Sequence, residues 1–574
     1  MFALLKKAIG SLSRRERIIL FFAIASSVIS AAALAAVTLE RATTAIPAHG
    51  GDYTEGVVGQ PAYVNPVLAA TDTDKSLVRL IFNNILSLAE KAEVSDDHRT
   101  WDIRLKENLL WHDGTKLTSD DVLFTIQKIQ DPESRSPLAL SWQGISARRV
   151  SELELNIYLP SPYAFFENNL KNLYILPKHL FADIPPANWQ LSEHNLKPVG
   201  SGPYRFDSYA RQPDGFIEAY RLRAWKQAPG GVPNITVFDM NFFRGAEDVL
   251  KSFNAGRIDG FGAADAVLLR GIRRPYALHT FTMPSYYAAF FNAAHDPALQ
   301  DPAVRAALAQ AIDRNALVTH ILGGYGTPEE GPIPGRAASS TASSTPLSDL
   351  KDMLAAAGWK ESTSTSARVK FHGKAMPTGA LRQPAAPERQ RGESPSEASK
   401  QANTTLEATL IVPEVPFLIA TAEALRDAWT PLGIKITLAP MHPEDILSSV
   451  IKNRDYDILL FGNILNPPED LFPFWHSSQR FFPGLNIGLL NDKKVDSLTE
   501  TIREEVNADT REKELDELAA LIKKATPAAF LYSPHYLFVA AKNVGGVESR
   551  GIENPPERFS SVPSWYVKTA RILK

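Results

Sequence analysis

With 574 residues and a formal net charge of −3 spread without blocks of one sign, the chain is too long for one ordinary core and suggests roughly three or four domain-sized units. Nothing in its charge pattern points to nucleic acid. It contains no cysteine, which excludes disulfides, thiolate metal sites and a lipid-modified cysteine as a tether.

Ile18 to Val37 is an uncharged run about as long as the roughly 20 residues that cross a bilayer core. Lys6, Lys7, Arg14, Arg15 and Arg17 precede it and only Arg41 follows closely, so the positive-inside rule leaves the N-terminus in the cytoplasm and the body outside. The favoured reading is a cytoplasmic basic segment over 1–17 and an uncleaved anchor over 18–39. The competing reading is a signal peptide cut at Ala33-Leu34-Ala35. Residues 40–52 read as a linker. Tyr53 to Gly59 then alternates as a strand, and a helix is expected near Asp74 to Ala89, with Leu77, Ile81, Ile85 and Leu88 on one side.

Trp101 to Pro132 is the most informative stretch. Trp101, Ile103 and Leu105 alternate with charged residues as in a half-buried strand, and Asp113-Gly114 makes a turn. Thr118 caps a helix answered by Asp121, Val122, Ile126 and Ile129 form its apolar stripe, and Pro132 stops it. Further on come a strand over Leu153 to Leu159, a short helix from Pro160 to Leu170, the segment YILPKH over Tyr174 to His179, and the Gly/Pro loop PVGSGPYRF over Pro198 to Phe206. In that loop Gly200 and Gly202 are expected to supply unusual dihedrals on the hinge side. A helix from Ala246 ends at Gly256 ahead of Arg257-Ile258-Asp259, Tyr286 to Asn292 is a strand, and Asp301 caps a helix to Arg314 with Pro302 at its first position. Ser339 to Thr345 is a Ser/Thr/Ala linker, and Asp349 to Trp359 a short helix. Glu361 to Thr405 has too few large apolar residues to offset chain entropy and reads as a mostly mobile insertion. Alternating helices and strands then run from Leu406 to Ala540, as on a mixed sheet.

The W-H-D-G turn followed by the capped acidic helix, the YILPKH and PVGSGPYRF segments, and DPAVRAALAQAIDR over Asp301 to Arg314 together resemble the family 5 extracellular solute-binding proteins, the peptide- and oligopeptide-binding proteins of ABC importers. The resemblance runs from about Tyr53 to Tyr566. It implies an α/β, two-lobed periplasmic-binding-protein-like fold of type II with an extra subdomain, preceded here by one N-terminal transmembrane helix. It implies lobe I over 53–84, 190–285 and 520–574, an extra subdomain of lobe I over 85–189, and lobe II over 286–519 with the insertion at 361–405. The implied function is the capture of a peptide or other small solute and its delivery to ABC permease subunits in the membrane. The lipid bilayer is the partner of the N-terminal helix, and no nucleic acid, cofactor or metal is called for.

In that family an aspartate after the Y-D strand pairs with the peptide's amino group. Here the run is FGNILNPPED over Phe461 to Asp470, with only uncharged residues from Asn463 to Asn466. An amide accepts a hydrogen bond but forms no ion pair, so free-amine peptide binding is in question, and a metal chelate or an oligosaccharide becomes an alternative ligand. The candidate ligand-binding residues are Tyr53, Trp111, Asn463, Asn466, Asp470 and Trp475, with a helix-start role equally open for Asp470. Phe481 and Phe482 lie just beyond. Enzyme signals are poor: there is no P-loop, G-x-G-x-x-G, H-E-x-x-H or EF-hand loop, Ser201 lacks the nucleophile-elbow spacing, and D-G explains His112-Asp113 as a turn. Two rivals from other classes are a surface sensor or adhesion protein without an importer and a surface hydrolase.

Overall fold

A computed structural model of the protein describes residues 13–263, 265–336, 345–361, 367–370 and 404–573. The N-terminal helix runs from Arg14 to Ala42 and opens with a capping box between Ser13 and Glu16. Its stretch Arg14–Ala35 is long and apolar enough to cross a membrane, and its apolar window is not buried by the other described residues. The segment read as a linker is instead a strand. Thr43–Ala48 pairs antiparallel with Lys568–Leu573, joining the two ends of the chain. Its partner lies at the far end of the sequence, so nothing local announces the pairing. Gly50 and Gly51, at φ of 115° and 91°, then bend the chain into Asp52–Val58.

Asp52–Val58 is the central strand of a seven-stranded mixed sheet. It lies parallel to both Val237–Phe243 and Gly260–Ala263, and the sheet is completed by Ile217–Ala224, Tyr204–Arg211, Tyr536–Ala541 and Tyr276–Phe281. A second, six-stranded mixed sheet is built in the order Gly326–Pro328, Ala528–Pro534, Ser285–Phe291, Ile458–Ile464, Glu407–Pro413, Lys435–Met441. Both faces of this sheet are covered, which explains the unbroken apolar run YYAAFF: Tyr286, Ala288 and Phe290 enter the core on one face, while Ala289 and Phe291 enter the other.

The chain passes between the two sheets twice, at residues 282–284 and at His535. The second passage lies later than the boundary near 520 read from the sequence. Ala528–Pro534 belongs to the second sheet and Tyr536–Ala541 to the first, and one continuous apolar stretch hides the change.

Within 85–189 lies a four-stranded antiparallel sheet of Ala89–Val94, Thr100–Leu105, Glu154–Tyr158 and Ser146–Arg149, with the helix Ser119–Gln130 against it. That helix has the expected capping box, Asp121 accepting the Thr118 amide at 2.9 Å, and buries Val122, Ile126 and Ile129. The side chains of this unit merge into the same core as the first sheet.

The helix expected over 74–89 is broken. Asp72–Ile81 stops, and Asn84 caps a separate turn, Ile85–Leu88. The break is enforced by the Gly/Pro loop, which docks on it backbone to backbone. The Gly202 amide donates to the Ile81 carbonyl, and a Cβ at Gly200 would stand 1.9 Å from that oxygen. The glycines of this loop thus permit close approach, not unusual dihedrals. Ser201 is buried and its hydroxyl accepts the Asn83 amide, a packing role. Most of the insertion expected over 361–405 lies outside the described residues, as does most of the linker at 339–345. The insertion's described ends are ordered, with Trp359–Glu361, Arg368–Lys370 and Thr404–Thr405 forming a three-stranded sheet.

Glu329 follows the edge strand of the second sheet. It is 2 % exposed, its carboxylate accepts the Gly335 amide at 3.0 Å, and burial pushes its pKa from 4.5 up to about 7. Folding therefore favours the protonated acid. The stabilisation is full below the unfolded value of 4.5 and is lost as pH rises through 7, a change on the order of 3 kcal/mol. Urea unfolding at pH 5 and pH 7.5 is expected to show this loss in the parent protein and to show it diminished in Glu329→Gln.

Candidate functional site

Four of the six sequence-derived candidates are core residues. Tyr53 is fully buried in the first lobe, where its hydroxyl donates to Glu55 and its ring packs on Phe238 and Trp565. Trp111 is buried in the extra subdomain near His179. Asn463 donates to the Tyr286 hydroxyl at 2.9 Å inside the second lobe, and Trp475 packs there on Phe290 and Phe530. Large aromatic rings signal apolar surroundings equally well in a core and in a pocket, so the sequence alone does not separate the two for Tyr53, Trp111 and Trp475. Phe481 and Phe482 are exposed on the surface. Asn466 and Asp470 do reach the interface between the lobes.

Several cavities follow that interface among the described residues. The first, about 380 Å³, sits at the two passages between the sheets and is lined from one lobe by Val57, Val58 and Arg558 and from the other by Tyr287, Phe417 and Tyr325. The second, about 260 Å³, lies along the helix Asp72–Ile81 and is lined by Lys75, Arg79, Trp142, Asn168, Asn466 and Asn554. The helix contributes to both, with Asp72, Thr73 and Ser76 towards the first and Lys75, Val78 and Arg79 towards the second. The third, about 520 Å³, opens between the extra subdomain and the second lobe, and Ser141, Asn169 and Asn466 line it together with the second.

One loop fastens the extra subdomain to the second lobe. The Ala164 amide donates to the Arg503 carbonyl at 2.8 Å, and the Tyr163 hydroxyl donates to Asp470 Oδ2 at 2.9 Å. Arg503 Nε donates to the same oxygen at 3.1 Å, and its guanidinium lies over the rings of Tyr163 and Phe472. Phe165, 8 % exposed, is inserted into the second lobe's core beneath Arg511. Burial pushes the Asp470 carboxyl up, while the Arg503 charge and the Tyr163 hydroxyl act against that rise. The other oxygen of Asp470 accepts the Phe472 amide from one position before Leu471, the N-cap of the short helix Phe472–Trp475, so Asp470 is tied to the entry of that helix and also bridges the lobes. Its partner Tyr163 is 307 positions away, beyond reach of local pattern.

The run that replaces the expected acid ends the strand Ile458–Ile464. Ile464 is 59 % exposed, Leu465 is buried and Asn466 is exposed, so no carboxylate is presented there. His112 is held between the Gly200 amide and the Gly202 carbonyl at 3.2 and 3.1 Å, and burial lowers its pKa to about 4. It is a neutral strut for the Gly/Pro loop. Among the described residues no group of three or more His, Asp or Glu side chains is arranged to hold a metal ion. The sequence reading passed over Lys75, Arg79, Arg503 and the amides of Asn168, Asn169 and Asn172. The clustering of Asn168 and Asn169 on the short helix Phe166–Lys171 with Asn172 at its C-cap was the one available signal for the last group.

A family model for bacterial extracellular solute-binding proteins, family 5 Middle, matches residues 85–481. The chain is 23 % identical over 554 residues to the oligopeptide-binding protein AppA of Bacillus subtilis, covering 91 % of this chain and 92 % of that protein. The structure of that protein in complex with a nonapeptide superposes with a TM-score of 0.68, covering 91 % of this chain and all of that one at 22 % identity. The ABC transporter substrate binding protein CtaP of Listeria monocytogenes gives a TM-score of 0.73 at 20 % identity, covering 91 % and 100 % of the two chains. NikZ of Campylobacter jejuni, in complex with Ni(L-His), gives 0.68 at 22 % identity, covering 90 % and 99 %.

Arg503→Ala removes the cation from a buried carboxylate and is expected to weaken the bridge between the lobes by about 1–3 kcal/mol. Spin labels placed on the extra subdomain and on the second lobe should report a larger population of long distances in Arg503→Ala and in Phe165→Ala. Distances unchanged in both variants would show that the loop does not hold the lobes together.

Proposed function

The chain belongs to the bacterial extracellular solute-binding proteins of family 5, and on that premise we propose that it captures a peptide or oligopeptide between its lobes and hands it to the permease of an ABC importer. The observation that carries this reading is the interface itself. Two sheets joined by chain passages at residues 282–284 and His535 can rock about those passages, and the cavities between them are lined from both sides, the arrangement of a hinged trap. The lobes and extra subdomain are those proposed from the sequence, with the second passage at His535. The mechanism is binding without covalent chemistry. A second reading is favoured by the uncharged run from Asn463 to Asn466, which offers no partner for an amine: the ligand is a peptide without a free amino terminus, an oligosaccharide or a metal chelate.

The body works outside the cytoplasm, and the apolar helix near its N-terminus is retained as an anchor in this proposal. Support comes from the full spanning length of Arg14–Ala35 and from the basic residues that precede it.

The full-length protein in detergent, melted against pools of free-amine peptides, amino-acetylated peptides, oligosaccharides and metal chelates, is expected to be stabilised by one of the peptide pools. A ligand at 100 times its dissociation constant adds about 2.7 kcal/mol. Stabilisation by sugars or chelates alone would replace the peptide reading. Carbonate-washed membranes are expected to keep the whole chain, whereas a soluble body beginning after Ala35 would establish a cleaved signal.

A further inference from the structure

The ribbon formed by Thr43–Ala48 and Lys568–Leu573 stands apart from the core. Its strands pair from Thr43 with Leu573 to Ala48 with Lys568, yet Lys568–Leu573 is exposed along its whole length, and among the described residues no third strand joins it. A two-stranded ribbon that covers neither face is marginal in water, so its order has to come from what holds its ends and from what lies against it.

Both ends are held. At the body, the Gly50 amide donates to the Asn234 carbonyl at 2.7 Å, and the Asn234 side-chain amide donates to the Pro563 and Ser564 carbonyls at 3.4 and 3.3 Å. Val567 lies so close to Gly51 that a Cβ there would stand 2.4 Å from its methyl group. At the other end the helix Arg14–Ala42 runs straight into Thr43 with no loop between them. Arg571 Nη1 donates to the Thr43 hydroxyl at 3.2 Å, which sets a cation beside the C-terminal end of the helix, where the macrodipole favours it. Helix, ribbon and body are thus joined without a slack segment.

The large exposed apolar residues of the ribbon lie at its helix end. Ile572 and Leu573 are 49 % and 77 % exposed, opposite Thr44 and Thr43, whereas Lys568 lies at the body end. The ribbon carries Lys568 and Arg571 and no acid. The uncharged run of the helix ends at Val37. From there to Thr43 the helix rises about 9 Å at roughly 1.5 Å per residue, close to the outer limit of a headgroup layer roughly 5–8 Å deep. Lys568–Leu573 is antiparallel to the strand that leaves the helix, so it runs towards the bilayer and brings Ile572 and Leu573 to that layer.

We propose that the helix end of this ribbon is a membrane-contact surface: Ile572 and Leu573 enter the headgroup layer of a phospholipid bilayer beside the anchor, and the ribbon holds the body at a fixed height and orientation above it. This rests on the reading of Arg14–Ala35 as a retained anchor and adds a second contact made by a distant strand. The span has already brought the chain to the lipid, so burying two more aliphatic side chains there costs no further translational freedom. With no acid in the ribbon, nothing in it repels the lipid phosphates.

The chain contains no cysteine, so single nitroxide labels can be placed on introduced ones. The full-length protein carrying Leu573→Cys or Thr569→Cys, labelled and reconstituted in phospholipid vesicles, provides the test. The label at 573 is expected to collide with dissolved oxygen, relative to a water-soluble nickel chelate, at least threefold more often than the label at 569. Labels at Thr38→Cys on the helix and Asn543→Cys on the body should give a narrow distance distribution in the parent. That distribution should broaden in Ile572→Ser/Leu573→Ser, whose body should melt at an unchanged temperature. Equal collision ratios at 569 and 573 in a chain retained by the vesicles, or a distribution as narrow in the double variant as in the parent, would overturn the lipid contact and leave the anchor standing. Protection at 573 that is lost on tenfold dilution of the protein in lipid would assign the pair to a second copy and overturn it as well. Release of a body beginning after Ala35 would overturn both readings.

Discussion

A single ion pair at the centre of the first lobe ties the beginning of the body to its end. Glu55 is fully buried on the middle strand of the seven-stranded sheet, and Arg558, 503 positions later, donates to it at 2.8 Å. A buried carboxylate without its partner would be costly by several kcal/mol, so the last turns of the chain must return to the first strand. The Arg558 guanidinium lies 4.0 Å above the Phe559 ring and beside Tyr536 and Phe538, which places its charge at the wall of the cavity between the sheets. Because the chain must come back, it crosses from the second sheet to the first again after its outward passage. The double passage at 282–284 and His535 is the result.

That double passage lies towards one edge of both sheets and leaves the opposite edge to other contacts. The loop with Tyr163, Ala164 and Phe165 acts there, far along the sequence from either passage. It supplies both kinds of attachment: an aromatic side chain buried in a foreign core, and a charged network in which Asp470 is shared by Tyr163 and Arg503. The first gives attraction without direction and the second fixes the register. Between hinge and loop lie the amide-lined spaces along the helix Asp72–Ile81, where groups of both lobes face one another.

What could be read from the sequence was what depends on near neighbours. The capping box at Thr118, the stripe of Val122, Ile126 and Ile129, and the Asp301-Pro302 helix start are each written within a few positions and were found in place. The order of motifs carried the family and with it the fold. What escaped depends on partners hundreds of positions away. The helix from 74 to 89 breaks because Gly200 and Gly202 press on Ile81, and its own periodicity gives no sign of the break. Asp470 reads as a cleft acid or a helix start until Tyr163 and Arg503 are seen beside it. Tyr53, Trp111 and Trp475 read as ligand platforms because burial in a core and burial against a ligand ask for the same residues. Lys75 and Arg79 went unnoticed because a basic pair on a helix is unremarkable by itself.

The pairing of Thr43–Ala48 with Lys568–Leu573 bears on how such a protein is made. Because synthesis proceeds from the N-terminus, the earlier strand is made long before the later one. The stem next to the apolar helix therefore stays open until Lys568–Leu573 has been made. Any extension fused after Lys574 would emerge from the same stem, beside the apolar helix and on the side of the body that helix holds.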